Sequence, residues 1–331
     1  MKDFIPHPAL RNRHLMTLAA AFWPRRFPQL PASTPRLFEV EPGTRVRGEC
    51  HWQEEPRNHS TLVLVHGLEG SSESRYMLGT AEKAYRAGFN AVRLNQRNCG
   101  GTEHLTPTLY HSGRSADFRA IVSELIDRDR LPEIFVAGFS MGGNLVLKMA
   151  GELADSAPPE VRGIVAVAPC LDLAACVNAL AERQNLIYER HFVRELKSRM
   201  QRKARLYPDI YSTNGSIDGL RRVRTVRDFD EIVTARFCGF AGADDYYGRS
   251  SAIHVLAAIA KPTLILTAQD DPFVPLSSFD RAAIRDNPNI QFVAPQHGGH
   301  CGFVSRESGC GRFWAEARIV AFCRQQSAVS V

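Results

Sequence analysis

The 331-residue chain contains no apolar run of about 18 residues, the minimum that spans a bilayer, so a membrane-crossing protein is not expected. The apolar segment His14–Trp23 is short, is closed by Pro24-Arg25-Arg26, and has no small-residue cleavage site after it, so it does not read as a secretory signal. No two cysteines form a C-x-x-C pair. The eight thiols (Cys50, Cys99, Cys170, Cys176, Cys238, Cys301, Cys310 and Cys323) are scattered, which fits reduced side chains in a cytosol better than a disulfide framework. There is no Lys/Arg run, and a net charge of +6 is modest for this length, so no nucleic-acid partner is expected. No H-E-x-x-H occurs, and no internal repeat or low-complexity tract is visible.

What is present is an ordinary globular composition, 44% hydrophobic and 23% charged. Short β-branched runs alternate with longer helical patterns. The runs predict strands at Leu37–Val40, Arg45–Trp52, Thr61–His66, Asn90–Leu94, Ile134–Phe139, Gly163–Ala168, Pro262–Ala268 and Ile290–Ala294. Helices are predicted at Tyr76–Ala87, Asp117–Asp127, Met141–Leu153, Ser277–Ile284 and Phe313–Gln325. The middle strands are apolar almost throughout, as when helices cover both faces of a mostly parallel sheet, so the fold class is α/β. Between about 171 and 239 the text turns helical and charged, with 13 Lys/Arg against 8 Asp/Glu over 181–236. That excursion is too long for an ordinary connection and reads as an inserted helical cap, a lid over a site. The division is then 1–35 as an N-terminal helical segment, 36–170 with 240–331 as the core, and 171–239 as the cap. The N-terminal segment either packs on the protein's own core or seeks a membrane surface, with Arg11, Arg13, Arg25 and Arg26 flanking Phe22 and Trp23.

The most informative feature is Gly138-Phe139-Ser140-Met141-Gly142, placed where an apolar strand runs into a helix. On such a corner the serine is strained and exposed. Gly138 and Gly142 flank it because side chains there would collide with the neighbouring strand and helix. Serine attack needs a base, a carboxylate to orient that base, and donors for the oxyanion. The carboxylate is sought in Asp270-Asp271-Pro272-Phe273-Val274-Pro275, after a strand and on the serine's rim. Asp271 has the spacing to Val274-Pro275 seen in such turns. Asp270 stands beside it as the alternative, and Asp172 is a third candidate. The base is sought in His297-Gly298-Gly299-His300. Glycines beside His300 let its ring reach across the rim, and His297 braces the loop. Two histidines without a third ligand nearby do not make a zinc site. The backbone N–H of Met141 should be one oxyanion donor. The other should lie in His66-Gly67-Leu68-Glu69-Gly70, with Leu68 preferred between its glycines. This loop lacks both G-x-G-x-x-G and a Walker lysine, so it is not read as a phosphate cradle. Arg97, Glu69 and Asp117 read as paired charges tying loops together near the site.

With these residues assembled, the chain resembles the α/β-hydrolase superfamily and, more narrowly, its YheT-like branch. The marks are His66-Gly67-Leu68-Glu69-Gly70-Ser71-Ser72, Arg97-Asn98-Cys99-Gly100-Gly101, Tyr110-His111-Ser112-Gly113, the Ser140 motif with Gly143-Asn144, Asp270-Asp271-Pro272-Phe273, and His297 to Phe303. The resemblance implies a charge relay on Ser140, Asp271 and His300, in the chain order of that fold. It also implies ester chemistry, since relatives are described as carboxylesterases, acylglycerol lipases, phospholipases or acyltransferases.

The expectation is therefore a cytosolic or peripherally membrane-associated serine esterase. It would act on short- to medium-chain acyl esters or acylglycerols, with Leu186, Ile187, Tyr188 and Phe192 of the cap enclosing the acyl slot. No cofactor and no metal is required. The alternatives are an acyltransferase or phospholipase on the same residues, and a non-catalytic binding protein of the same fold. Oligomeric state is not legible in the sequence.

Overall fold

Strand side chains point alternately to opposite faces, so strands apolar at every position must be buried on both sides. β3 (Thr61–Val65), β4 (Asn90–Leu94) and β5 (Ile134–Phe139), apolar but for Thr61, Asn90 and Arg93, are buried at every residue. The computed structural model describes residues 3–211, 219–308 and 311–329. Cys310 and residues 212–218 of the expected cap lie outside the described residues.

With β1 (Thr34–Glu41), β2 (Thr44–His51), β6 (Val161–Val167), β7 (Thr263–Leu266) and β8 (Ile290–Val293), these strands form one eight-stranded sheet. Its order is β1-β2-β4-β3-β5-β6-β7-β8. β1 pairs β2, and β2 pairs β4, in antiparallel register; every pairing from β4 to β8 is parallel. The mostly parallel α/β sheet flanked by helices is the architecture expected from the sequence.

The two faces carry separate cores. Val63, Val65, Ile134 and Val136 point to one side, against Phe118 and Ile121 of α3 (Ser115–Asp127) and Leu145 and Val146 of α4 (Met141–Leu153). Leu62, Leu64, Phe135 and Ala137 point to the other. There they meet Met77 and Ala81 of α2 (Arg75–Arg86) and Ile319 and Phe322 of the C-terminal helix, Trp314–Gln326. The period of two within each strand is what divides the core.

Between β6 and β7 the described residues are mostly helical. The chain runs through α5 (Leu173–Leu180) and α6 (Leu186–Leu206), then shorter helices up to Ala258. The N-terminal segment forms α1 (Arg13–Phe22), whose Met16 is fully buried beside Val304 and Phe313.

One predicted helix is interrupted. Residues 277–284 form a 3-10 turn, Leu276–Phe279, and a short helix, Ala282–Arg285. Arg281 between them is extended at φ −130°. The break lets Phe279 stack on Phe292 of β8 at 5.4 Å while Ile284 is buried in the core.

Arg97, after β4, ties this end of the sheet together. Its guanidinium donates to both carboxylate oxygens of Asp117 on α3, with Nε–Oδ2 at 2.6 Å, to Glu41 on β1, and to Thr108 Oγ1 at 2.6 Å. The Arg97 side chain is 1% exposed and that of Asp117 is 7% exposed. Removing one partner of a buried pair leaves an uncompensated charge. Arg97→Met is accordingly expected to lower unfolding free energy by about 3–5 kcal/mol. Guanidinium denaturation checks this, and a loss under about 1 kcal/mol would show the pair to be dispensable.

Candidate active site

Ser140 follows β5 and caps α4 at φ 54° and ψ −118°, a left-handed region that side chains disfavour. The corner is held by close approach. A Cβ on Gly138 would lie 2.2 Å from the Gly142 carbonyl oxygen, and one on Gly142 would lie 2.5 Å from the His66 and Val65 carbonyl oxygens. Any larger residue would force the strand and helix apart. Ser140 N–H donates to Val167 O at 2.8 Å, which pins the corner to β6. Ser140 lines a cavity of about 870 Å³ together with His300, Phe273, Tyr188 and Leu68.

The two adjacent carboxylates serve different histidines. Asp271 Oδ2 lies 2.8 Å from His300 Nδ1. Its Oδ1 accepts from the N–H groups of Phe273 and Val274, at 3.0 and 2.9 Å, and its side chain is wholly buried. These bonds fix the carboxylate as a turn-former and aim its second oxygen at the ring. Asp270 instead faces His297, 3.3 Å from Nδ1, and accepts the Gly299 N–H at 2.9 Å. Asp270 and His297 thus brace the glycine-rich loop from beneath. Asp172, the third carboxylate considered, caps α5 by accepting the Ala175 N–H at 3.0 Å.

His300 is also held by a segment far away in sequence. Its N–H donates to Thr17 Oγ1 on α1 at 2.9 Å, and Phe273 packs on its ring at 4.1 Å. Burial works against charge on this ring, but the Asp271 carboxylate at 2.8 Å overcomes it and holds the imidazole well above its ordinary pKa. No hydrogen bond joins Ser140 Oγ to His300 among the described residues. The hydroxyl's polar contact is Cys170 Sγ, at 3.6 Å.

The loop after β3 is fixed at every residue but one. Gly67 N–H donates to the Tyr76 hydroxyl at 3.1 Å, Glu69 N–H to the Tyr110 hydroxyl at 3.3 Å, and Gly70 N–H to Gly67 O at 3.1 Å. Among the described residues nothing accepts the Leu68 N–H, and Leu68 lines the cavity. His66 beneath is fully buried. Its Nε2 accepts the Gln96 N–H at 3.0 Å, and its Nδ1 lies 2.7 Å from Gly67 O. Burial lowers its pKa to about 4, so the ring is neutral with the proton on Nδ1. Met141 begins α4, where the first N–H groups have no helical acceptor.

The charges expected to link Arg97, Glu69 and Asp117 divide differently. Arg97 is filled by Asp117, Glu41 and Thr108, so Glu69 turns to α6 and pairs with Arg199 at 2.7 Å. Arg199 also lies over the Tyr110 ring at 4.0 Å, and the Tyr110 hydroxyl donates to Glu69 at 2.6 Å. Sequence reasoning missed Arg199, Thr17, Tyr76 and Cys170, because each reaches the site from a segment with no motif of its own. Asn144, within the serine motif, is fully employed: its Nδ2 donates to the carbonyls of Ser112 and Ser250, and its Oδ1 accepts the Ala252 N–H at 2.7 Å. Among the described residues no three His, Cys, Asp or Glu side chains converge as a metal site requires.

A family model described as the alpha/beta hydrolase fold matches residues 60–307. The YheT protein of Escherichia coli (strain K12), named as an esterase, is 33% identical over 322 residues, covering 96% of this chain and 92% of its own. A monoacylglycerol lipase of Saccharomyces cerevisiae is 28% identical over 261 residues, covering 77% of this chain and 57% of its own. Among solved structures, the esterase Pf2001 of Pyrococcus furiosus superposes with a TM-score of 0.59 at 16% identity, covering 98% of both chains.

Because the pair raises the folded-state pKa of His300, its contribution to stability is complete below the ordinary imidazole value of 6.5 and is lost as pH rises through the raised one. The stability difference between wild type and Asp271→Asn is therefore expected to be largest near about pH 6 and to shrink with increasing pH. Denaturant unfolding across pH checks it. A difference that is flat across that range would mean the two groups are not charge-coupled.

Proposed function

The chain belongs to the α/β-hydrolase family, in its YheT-like branch, and we propose that it cleaves carboxylic esters through an acyl-enzyme formed on Ser140. The observation that carries this reading is the 2.8 Å Asp271–His300 contact opening into the same cavity as the strained serine. In the proposed reaction the Ser140 hydroxyl turns from Cys170 toward His300 Nε2 and attacks the ester carbonyl. His300 takes the hydroxyl proton. Asp271 holds the ring by Nδ1 and stabilises the imidazolium. The Leu68 and Met141 N–H groups donate to the oxyanion, each worth about 2.7–4 kcal/mol in the transition state. The alcohol leaves with the proton from His300, and water, deprotonated by the same ring, releases the acid.

The cavity favours an apolar acyl group. Ile187, Tyr188 and Phe192 of α6 line it together with Phe273, Leu18 and Phe22, whereas Leu186, also expected there, faces a separate groove; the cavity volume is in the range of sites that enclose one small ligand. Short- to medium-chain acyl esters and acylglycerols are the substrates that fit. The stretch 171–239 acts as the lid in this reading, anchored to the oxyanion loop through Arg199 and Glu69.

A fluorophosphonate probe is expected to label wild type and not Ser140→Ala; equal labelling would remove Ser140 from the mechanism. Asp271→Asn should lower kcat about 10⁴-fold and Asp270→Asn far less, and the reverse order would exchange their roles. The base must be neutral to accept a proton, so kcat/KM should climb as pH rises through the raised His300 pKa. A profile already flat at pH 6.5 would contradict the charge coupling. The chain-length preference is read from p-nitrophenyl esters and monoacylglycerols of graded length.

A further inference from the structure

One surface beside the cavity turns large apolar side chains outward. Helix α1 is apolar on two sides. Met16 is buried in the core, while Leu15, Leu18 and Phe22, at i, i+3 and i+7, form an outward stripe exposed by 53%, 36% and 71%. Ile187, at the start of α6, is 74% exposed. These are four of the ten large hydrophobic side chains exposed among the described residues, and Leu18, Phe22 and Ile187 also line the Ser140 cavity. The exposed apolar tips therefore stand as lips at its mouth. The lips are fixed in place. Arg13 Nη2 donates to Gln184 Oε1 at 2.8 Å, and His14 stacks on Tyr188 at 5.8 Å. Just past α1, Arg25 Nη2 donates to Glu316 Oε2 at 2.7 Å, and Lys83 binds the same carboxylate at 2.6 Å.

The charge around the lips is mostly positive. Arg11 precedes α1 and Arg26 follows it; Arg183 and Arg190 flank Ile187, and all four are exposed with no acidic partner among the described residues. Two acids of this region are paired with other arginines, Glu195 with Arg194 at 3.0 Å and Glu73 with Arg93 at 2.9 Å; Glu182, which accepts from the Gln184 amide at 2.6 Å, keeps its charge against the four arginines. An apolar stripe framed by an excess of arginines fits a surface that is apolar within and negative at its boundary. A second copy of this chain would bring the same positive frame and be repelled.

We infer that this mouth is a docking surface for an anionic phospholipid bilayer, with α1 and the start of α6 seated at the headgroup level. The consequence rests on the ester-hydrolase reading: an acyl chain passes from the bilayer to Ser140 without crossing water. The docking itself does not depend on that chemistry. Each arginine near a negative membrane surface is worth about fivefold in affinity.

The test is sedimentation of the full chain with phosphatidylcholine vesicles, with and without phosphatidylglycerol. Wild type should pellet with the anionic vesicles alone, less so at high salt, and Ser140→Ala should pellet equally, which separates docking from catalysis. Leu15→Glu and the double variant Arg11→Glu/Arg183→Glu should each bind at least tenfold more weakly. Leu15 does not line the cavity, so hydrolysis of a water-soluble short-chain ester by Leu15→Glu should match wild type, which also reports that the variant is folded. Wild type remaining in the supernatant with anionic vesicles would overturn the inference, as would undiminished pelleting of both variants. A wild-type dimer in analytical ultracentrifugation that Leu15→Glu dissociates would assign the face to a second copy and equally overturn it.

Discussion

The left-handed backbone at Ser140 is the constraint on which the rest of the site depends. A non-glycine residue in a disfavoured region of this kind costs about 1–3 kcal/mol and persists only when its surroundings over-determine it. Here they do. Gly138 and Gly142 let β5, α4 and the loop after β3 approach to contact distances that no side chain could share. The Ser140 N–H is fixed on β6. The same close approach sets Gly67 against Ser140 and puts Leu68 on the wall of the same cavity.

A parallel sheet delivers its loops to one rim, and the candidate residues follow from that geometry. Ser140 leaves β5, Asp271 follows β7, His300 follows β8 and Leu68 follows β3. Neighbouring carboxylates at 270 and 271 could not both serve one imidazole. The turn resolves this by spending one oxygen of Asp271 on the N–H groups of Phe273 and Val274, which leaves the other for His300. Asp270, turned the opposite way, holds His297 and Gly299 and stiffens the loop that carries His300.

Two elements outside the rim complete the site. Helix α1 offers Thr17 to the His300 backbone and supplies one lip of the cavity. Helix α6 offers Arg199 to Glu69, so the loop after β3 and the helical insertion are joined by a buried ion pair. Arg199 and Glu69 are 6% and 9% exposed, so the pair is little screened by water. A movement of the insertion would therefore be felt at the Glu69 backbone, whose N–H is tied to Tyr110.

The sequence by itself determined the α/β class, the strand-to-helix corner at Ser140, the carboxylate pair and the histidine loop. Each is written locally: in period-two apolar runs, in glycines spaced around one serine, and in turn residues after a strand. Element ends shifted by one to three residues, and residues 277–284 broke where Phe279 and Ile284 found separate tertiary contacts. Only the tertiary structure decided which aspartate faces which histidine, because that depends on which backbone N–H groups each carboxylate meets. It alone paired Glu69 with Arg199 rather than Arg97, since the Arg97 donors were already taken by Asp117, Glu41 and Thr108. It alone brought α1 onto the His300 loop, a contact across 283 residues. Such contacts leave no local pattern, because a hydroxyl or guanidinium meets its partner through the path of the whole chain.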